Sequence, residues 1–241
     1  MASGPVTELR ILSAGAMREI VSELSEAYER RTNIKPSGEY TRSPLVRDRI
    51  RAGEVFDVVV TTQSRISELA TEEKVIPGSI RILARSGIGV AVKAGKPKPD
   101  IGSVTAFVAA LRAAKSIACA DPAFGTASGL YLVELFDRLG LTADLKPKIR
   151  LVGTEGGKPV VVCAAVADGS CDIGLQQIAE IVSVPGVDVV GPLPKEIQHV
   201  TVFAVAVASN SPYPNLAQDF VNFITVESAK AVIAKHGMDP A

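Results

Sequence analysis

Gly53-Glu54-Val55-Phe56-Asp57-Val58-Val59-Val60-Thr61-Thr62 decides the fold of this chain. From Phe56 to Val60 the run is apolar without alternation, the pattern of a strand covered on both faces. Gly53 stops the element before it, and Thr62 starts a helix after it. Upstream, Ser43-Pro44 reads as a helix N-cap followed by a proline at the first helical position, with Leu45, Val46, Arg49 and Ile50 continuing the helix. Leu9 to Ala14 is another short apolar strand. It feeds Met17, Ile20, Val21, Leu24 and Tyr28 at helical spacing, closed by Arg30-Arg31. Strands alternating with helices predict an α/β fold, a parallel sheet with helices on its faces.

The same alternation continues downstream. Helices are expected at Val104 to Ala114, after Ser128 up to the Gly140 stop, from Lys158-Pro159, and at Ile178 to Val182. Strands are expected at Ile117 to Ala120, Ile149 to Val152, Ile173 to Leu175 and Val187 to Val190. Two β-rich runs, Gly87 to Val92 and Val200 to Ala208, bracket this set, and helices follow at Leu216 to Ile224 and Ser228 to His236. The simplest arrangement is two-lobed: a discontinuous first lobe of residues 1–86 and 201–241, with residues 87–200 inserted as a second lobe.

Composition narrows the function. Lys plus Arg and Asp plus Glu balance at 26 each, so no overall field draws the chain to nucleic acid or an anionic membrane. The chain contains no Trp, which argues against stacking platforms for single strands or sugars. Cys119, Cys163 and Cys171 are odd in number and lack metal-ligand spacing, so free buried thiols are expected and no zinc site. No apolar run is long enough for membrane insertion. Residues 1 to 8 lack the basic start and apolar core of an export signal. The expected location is therefore cytoplasmic if Met1 is the native start, and periplasmic if the chain is a trimmed mature form. A monomer without cofactor is expected.

Several helix starts are built from small or hydroxyl residues: Gly15-Ala16, Ser43-Pro44, Thr62, Thr126 with Ser128, and Gly157-Lys158-Pro159. Helix N-termini have unpaired N–H groups and a partial positive charge, so several together make an anion site without a metal. A small anionic ligand is the expected partner. Gly129 and its neighbours let backbone approach that ligand closely.

Ile11-Leu12-Ser13-Ala14-Gly15-Ala16-Met17, Thr41-Arg42-Ser43-Pro44-Leu45, the Gly53 to Thr62 stretch, and Asp121-Pro122 ahead of Gly129-Leu130-Tyr131 together resemble the molybdate-binding-like branch of the ABC-transporter solute-binding proteins. The resemblance covers nearly the whole chain. It implies a type II periplasmic-binding-protein-like fold with an oxyanion in the cleft between two lobes, held by hydroxyls and backbone amides, and a transporter permease as partner. Of the family's ligand serines, the first falls at Ala16 and is lost, while the second falls at Ser43 and is kept. The family tyrosine falls at Gln177, beside Gln176. Arg42 stands where the family has a small residue or serine, and Lys158 where it has an acidic or small one.

These departures favour an organic carboxylate or related oxyanion. Arg42 has the planar fork that pairs with a carboxylate, Lys158 adds a second cation, and the Gln176 or Gln177 amide can donate to an anion. The expected binding set is Gly15, Ala16, Thr41, Arg42, Ser43, Thr62, Thr126, Ser128, Gly129, Lys158, Gln176 and Gln177. A second hypothesis is an isomerase acting on an unsaturated carboxylate, because aconitate isomerase resembles this family too. In it Arg42 and Lys158 clamp carboxylates and Glu39 or Glu155 is the base. No nucleophile elbow supports hydrolysis. His199 and His236 have no acidic or cysteine neighbour in sequence and are expected to be surface or satisfied residues without metal.

Overall fold

Asp57, the one charged residue inside the apolar run, is 3% exposed and fully employed. One carboxylate oxygen accepts from the Arg10 amide at 2.8 Å and the other from the Ser211 hydroxyl at 2.5 Å. Buried carboxylates are tolerated on these terms. Phe56 beside it is fully buried, with the Arg10 and Arg49 guanidinium groups 4.6 Å and 5.1 Å from its ring centroid.

The computed structural model describes residues 8–155, 158–159 and 161–241, with the backbone alone at 154, 155, 158 and 159. In chain order, β1 (Glu8–Ala14) passes through a 3-10 turn at Gly15–Met17 into α1 (Arg18–Thr32). β2 (Lys35–Thr41), α2 (Ser43–Arg51), β3 (Val58–Thr62) and α3 (Gln63–Thr71) follow, and then the long β4 (Arg81–Lys93). Beyond it come α4 (Val104–Ala113), β5 (Ile117–Ala120), α5 (Ala127–Arg138), α6 (Thr142–Leu145) and β6 (Ile149–Val152). Next are β7 (Thr154–Glu155), β8 (Lys158–Pro159), α7 (Ala164–Ala167), β9 (Ile173–Gln177), α8 (Ile178–Val182) and β10 (Val187–Pro192). The chain ends with β11 (Val200–Val207), α9 (Pro214–Ile224), α10 (Glu227–Lys235) and β12 (Asp239–Pro240). It divides into two compact units, Met1–Arg85 with Val202–Ala241, and Ser86–Thr201.

In the first unit β1 is central and parallel to both β2 and β3, with Ala14 opposite Thr41 and Ser13 opposite Val60. β11 closes onto β3 antiparallel. Leu12, Val59, Ala204 and Ala206 pack under Val46 and Ile50 of α2 and Ile66 and Leu69 of α3. Each of these leucine, valine and isoleucine side chains, fully buried, contributes about 1.5–3 kcal/mol. On α1, Ile20, Val21, Leu24 and Tyr28 of the predicted apolar stripe are buried, and Ser25 is buried with them.

In the second unit β5 is parallel to β6 and β9, while β4 runs antiparallel to β9 and β10 antiparallel to β4. Phe107 and Leu111 of α4 and Leu132 and Leu135 of α5 cover Ile117, Ile173 and Leu175. Cys119, Cys163 and Cys171 are buried free thiols, as expected.

The structure corrects three expectations. The sheet is mixed rather than parallel: β4 and β11 are not reached through helical crossovers within a unit, so nothing forces them parallel to their neighbours. Ser43 is not the N-cap of α2. The first carbonyl to accept is that of Arg42, from the Val46 amide at 3.0 Å, so Arg42 is the cap in extended conformation and Ser43 is the first helical residue. Lys158 opens no helix; it pairs with Glu155 in an antiparallel register. Valines follow Pro159 in sequence, and β-branched residues are poor helix formers, so the helix waits for the alanines beginning at Ala164.

Candidate functional site

In the first unit, the parallel strands β2, β1 and β3 end along one edge, and a helix or helical turn begins at each end. Thr41 leads to α2, Ala14 to the Gly15–Met17 turn and α1, and Thr62 to α3. The chain moves from β1 to β2 on one side and then to β3 on the other, which makes this edge a switch point, the place where open α/β sheets bind ligands. Neither α2 nor α3 has an acidic residue in its first turn, so the positive end of each dipole is unopposed. In α2 the Ser43 and Leu45 amides have no intrahelical acceptor, and Pro44 has no N–H to offer. Thr62 is the α3 N-cap and its hydroxyl lies 3.2 Å from that of Ser64.

Thr61 is the residue that sequence reasoning missed here. It is fully buried, and its hydroxyl has no hydrogen-bond partner among the described residues. Pairing opposite Ala204 and sharing parity with Val59, it lies on the face covered by α2 and α3. Reading Thr62 as the helix start drew attention to the neighbouring hydroxyl. The signal for Thr61 was strand alternation, which the continuous valine run conceals.

In the second unit, β5 and β9 end side by side. Asp121 accepts from the Ala123 amide at 2.9 Å, Gly125 takes the left-handed conformation at φ 64°, and Thr126 caps α5 by accepting from the Gly129 amide at 3.4 Å. Gly129 therefore offers no free amide, and its role is close packing. A Cβ there would lie 2.9 Å from the Ala120 carbonyl oxygen and from the Thr126 hydroxyl. Ser128 is 4% exposed in the first turn of α5 rather than at its cap.

Gln176 and Gln177 are each 4% exposed and diverge because neighbours on a strand face opposite ways. The Gln176 carbonyl oxygen accepts from the Cys163 amide at 3.2 Å, and the same side chain hydrogen-bonds Glu180 one turn on. Burial pushes the Glu180 carboxyl up to about 7, with the Gln176 hydrogen bond pulling the other way. Gln177 shares its face with Ile173 and Leu175, the side on which α5 packs. Its Nε2 donates to the Thr201 hydroxyl at 2.6 Å, and its Oε1 is buried with no partner among the described residues.

The remaining candidates fare differently. Glu39 is held by Arg49 at 2.8 Å and Arg10 at 3.2 Å, which keep its carboxyl below the usual range; this corrects its reading as a general base. The Glu155 and Lys158 side chains, with Gly156 and Gly157, lie outside the described residues. Gly15 is exposed and Ala16 half-buried in the 3-10 turn. His236 bonds Glu23 at 2.7 Å, and the His199 ring stacks on that of Tyr131 with centroids 4.6 Å apart. Among the described residues no group of three His, Cys, Asp or Glu side chains is placed to hold a metal ion. No helix among them is long and apolar enough to cross a membrane.

Residues 9–239 match the family model described as bacterial extracellular solute-binding protein. The chain belongs to that family. It is 34% identical over 247 residues to aconitate isomerase of a Pseudomonas species, covering all of this chain and 90% of that protein. The periplasmic molybdate-binding protein of Azotobacter vinelandii superposes with a TM-score of 0.77 at 20% identity, over 95% of this chain and 98% of that one. PEB3 with L-phospholactate bound, a Campylobacter jejuni protein, gives 0.72 at 16% identity, over 96% and 99%. The fold of this solute-binding family member is thus the α/β, type II periplasmic-binding class, and the resemblance to its molybdate-binding branch holds.

Proposed function

We propose that this chain binds a small anion, an organic carboxylate or a related oxyanion, as a solute-binding protein of ABC-transporter type. The observation that carries the reading is the row of helix starts along the β2, β1 and β3 ends, two of them with no acid in the first turn. Such ends favour negative charge through oriented N–H groups. Gly15, Ala16, Thr41, Arg42, Ser43 and Thr62 are assigned to ligand contact in the first unit, with Thr61 added. Thr126, Ser128, Gly129 by its backbone, Gln177 and Lys158 are assigned in the second, and Gln176 acts behind them. Arg42 stands at the α2 N-cap, where a guanidinium fork suits a carboxylate better than a tetrahedral metal oxyanion. The partner is a transporter permease, and the working location is outside the cytoplasm, as the family description implies.

A thermal-shift panel of molybdate, tungstate, sulfate and di- and tricarboxylates tests the proposal, since a ligand binding only the folded state raises its midpoint. Carboxylates are expected to give the largest rise. No response to any anion would overturn it.

The 34% identity to an aconitate isomerase favours a second reading, an isomerase of unsaturated carboxylates. With Glu39 neutralised by two arginines, its base would have to be Glu155. Proton NMR of cis- and trans-aconitate incubated with the protein decides this: interconversion supports the enzyme, and unchanged spectra at high protein concentration reject it.

A further inference from the structure

We propose that Gln177, held in orientation by Thr201, selects an anion that itself carries a hydrogen-bond donor: a hydroxycarboxylate in preference to a plain carboxylate or a metal oxyanion. This rests on the carboxylate reading above and narrows it. Gln177 is 4% exposed and Thr201 5%, so both are withdrawn from bulk solvent. The 2.6 Å bond from Gln177 Nε2 to the Thr201 hydroxyl uses one of the two N–H donors and fixes which way the amide faces. The other end, Oε1, is buried and has no partner among the described residues. An amide oxygen only accepts, and a buried acceptor left unmade is costly, so this atom calls for an O–H or N–H.

The position of Gln177 gives that call its meaning. It closes β9 beside the end of β5, on the sheet face covered by α5, whose N-terminus begins just past β5. The Ala127 and Ser128 amides at the start of α5 offer donors to a carboxylate, and Gln177 Oε1 offers an acceptor to a hydroxyl on the same molecule. A dianion such as molybdate presents only acceptors at neutral pH and meets the Gln177 oxygen with repulsion. Thr201 is then a positioning residue: without its hydroxyl the amide is free to turn and present its donor end.

Calorimetric titration with two ligand pairs that differ by one hydroxyl, citrate against tricarballylate and malate against succinate, tests the proposal. The wild-type protein is expected to bind the hydroxylated member about tenfold more tightly, the worth of one net hydrogen bond. Gln177→Met should bring both ratios close to one. Thr201→Val should lower the ratios too, and Thr201→Ser should keep them. Equal affinities within both wild-type pairs, a preference for the member lacking the hydroxyl, or ratios unchanged in Gln177→Met would overturn the inference while leaving the carboxylate reading in place. Molybdate binding with none of the four carboxylates bound would overturn both. The wild-type comparison requires no variant to fold.

Discussion

The Tyr28 hydroxyl donates to Asp219 at 2.8 Å, joining helices that lie 191 residues apart in the chain. The Tyr28 ring also meets the edges of Phe220 at 5.1 Å and Phe223 at 5.3 Å, which seats the C-terminal α9 on α1. The first unit is discontinuous in sequence, and this contact is one of the places where its two segments become one body.

Tyr28→Phe keeps the ring and loses the bond to Asp219, which is exposed enough to find water, so the expected cost is about 0.5–1.5 kcal/mol. Tyr28→Ala also loses the packing and should cost about 3–5 kcal/mol. Denaturant unfolding of both variants checks this. Equal costs would mean that the aromatic packing contributes nothing.

Glu180 has a folded-state pKa raised to about 7 against an ordinary 4.5. Between those values the folded protein holds more protons than the unfolded chain, so this group makes stability fall as pH rises from 4.5 to 7, with no further loss above. Glu180→Gln removes that slope. Its stability relative to wild type should therefore improve by about 2 kcal/mol from pH 5 to pH 8, given 1.36 kcal/mol per unit. Urea midpoints at the two pH values measure it, and parallel changes in both proteins would contradict it.

Carboxylates whose pKa is lowered act in the opposite sense at lower pH. Glu23 is depressed by hydrogen bonds from Lys235 and His236, Glu39 by Arg49 and Arg10, and Glu54 by Arg49. Their contributions are present above 4.5 and are lost as pH falls through the folded-state values. Acid unfolding should therefore be salt-sensitive, because most of these pairs are surface pairs.

How much was legible beforehand varies with the kind of signal. Elements with strong periodicity or a clear stop came through: Ile117–Ala120, Ile149–Val152 and Ile178–Val182 match their predicted bounds, and Gly53 and Gly140 end their helices at φ 86° and 65°. The helix expected at Lys158 failed because proline after glycines reads alike as a helix start or a hairpin, and only pairing with Glu155 tells them apart. Ser43 was misplaced by one residue because a hydroxyl before proline looks like a cap, whereas the capping carbonyl belongs to Arg42. Glu39 looked available in sequence because Arg10 lies 29 residues away and Arg49 ten, distances that no local pattern reports. Thr61 and Thr201 escaped notice because being buried without a partner, or with one distant partner, is a property of the fold.

The central claim, a carboxylate held at helix N-termini with Arg42 at the α2 cap, is tested most directly by titrating citrate and molybdate into wild type and Arg42→Ala by calorimetry. The account predicts that wild type binds citrate more tightly than molybdate. Arg42→Ala should lose about 1.5–3 kcal/mol of citrate binding, the range for charged hydrogen bonds, with Arg42→Lys recovering only part and thermal midpoints nearly unchanged. Tight molybdate binding with no citrate heat, or wild-type citrate affinity in Arg42→Ala, would contradict it.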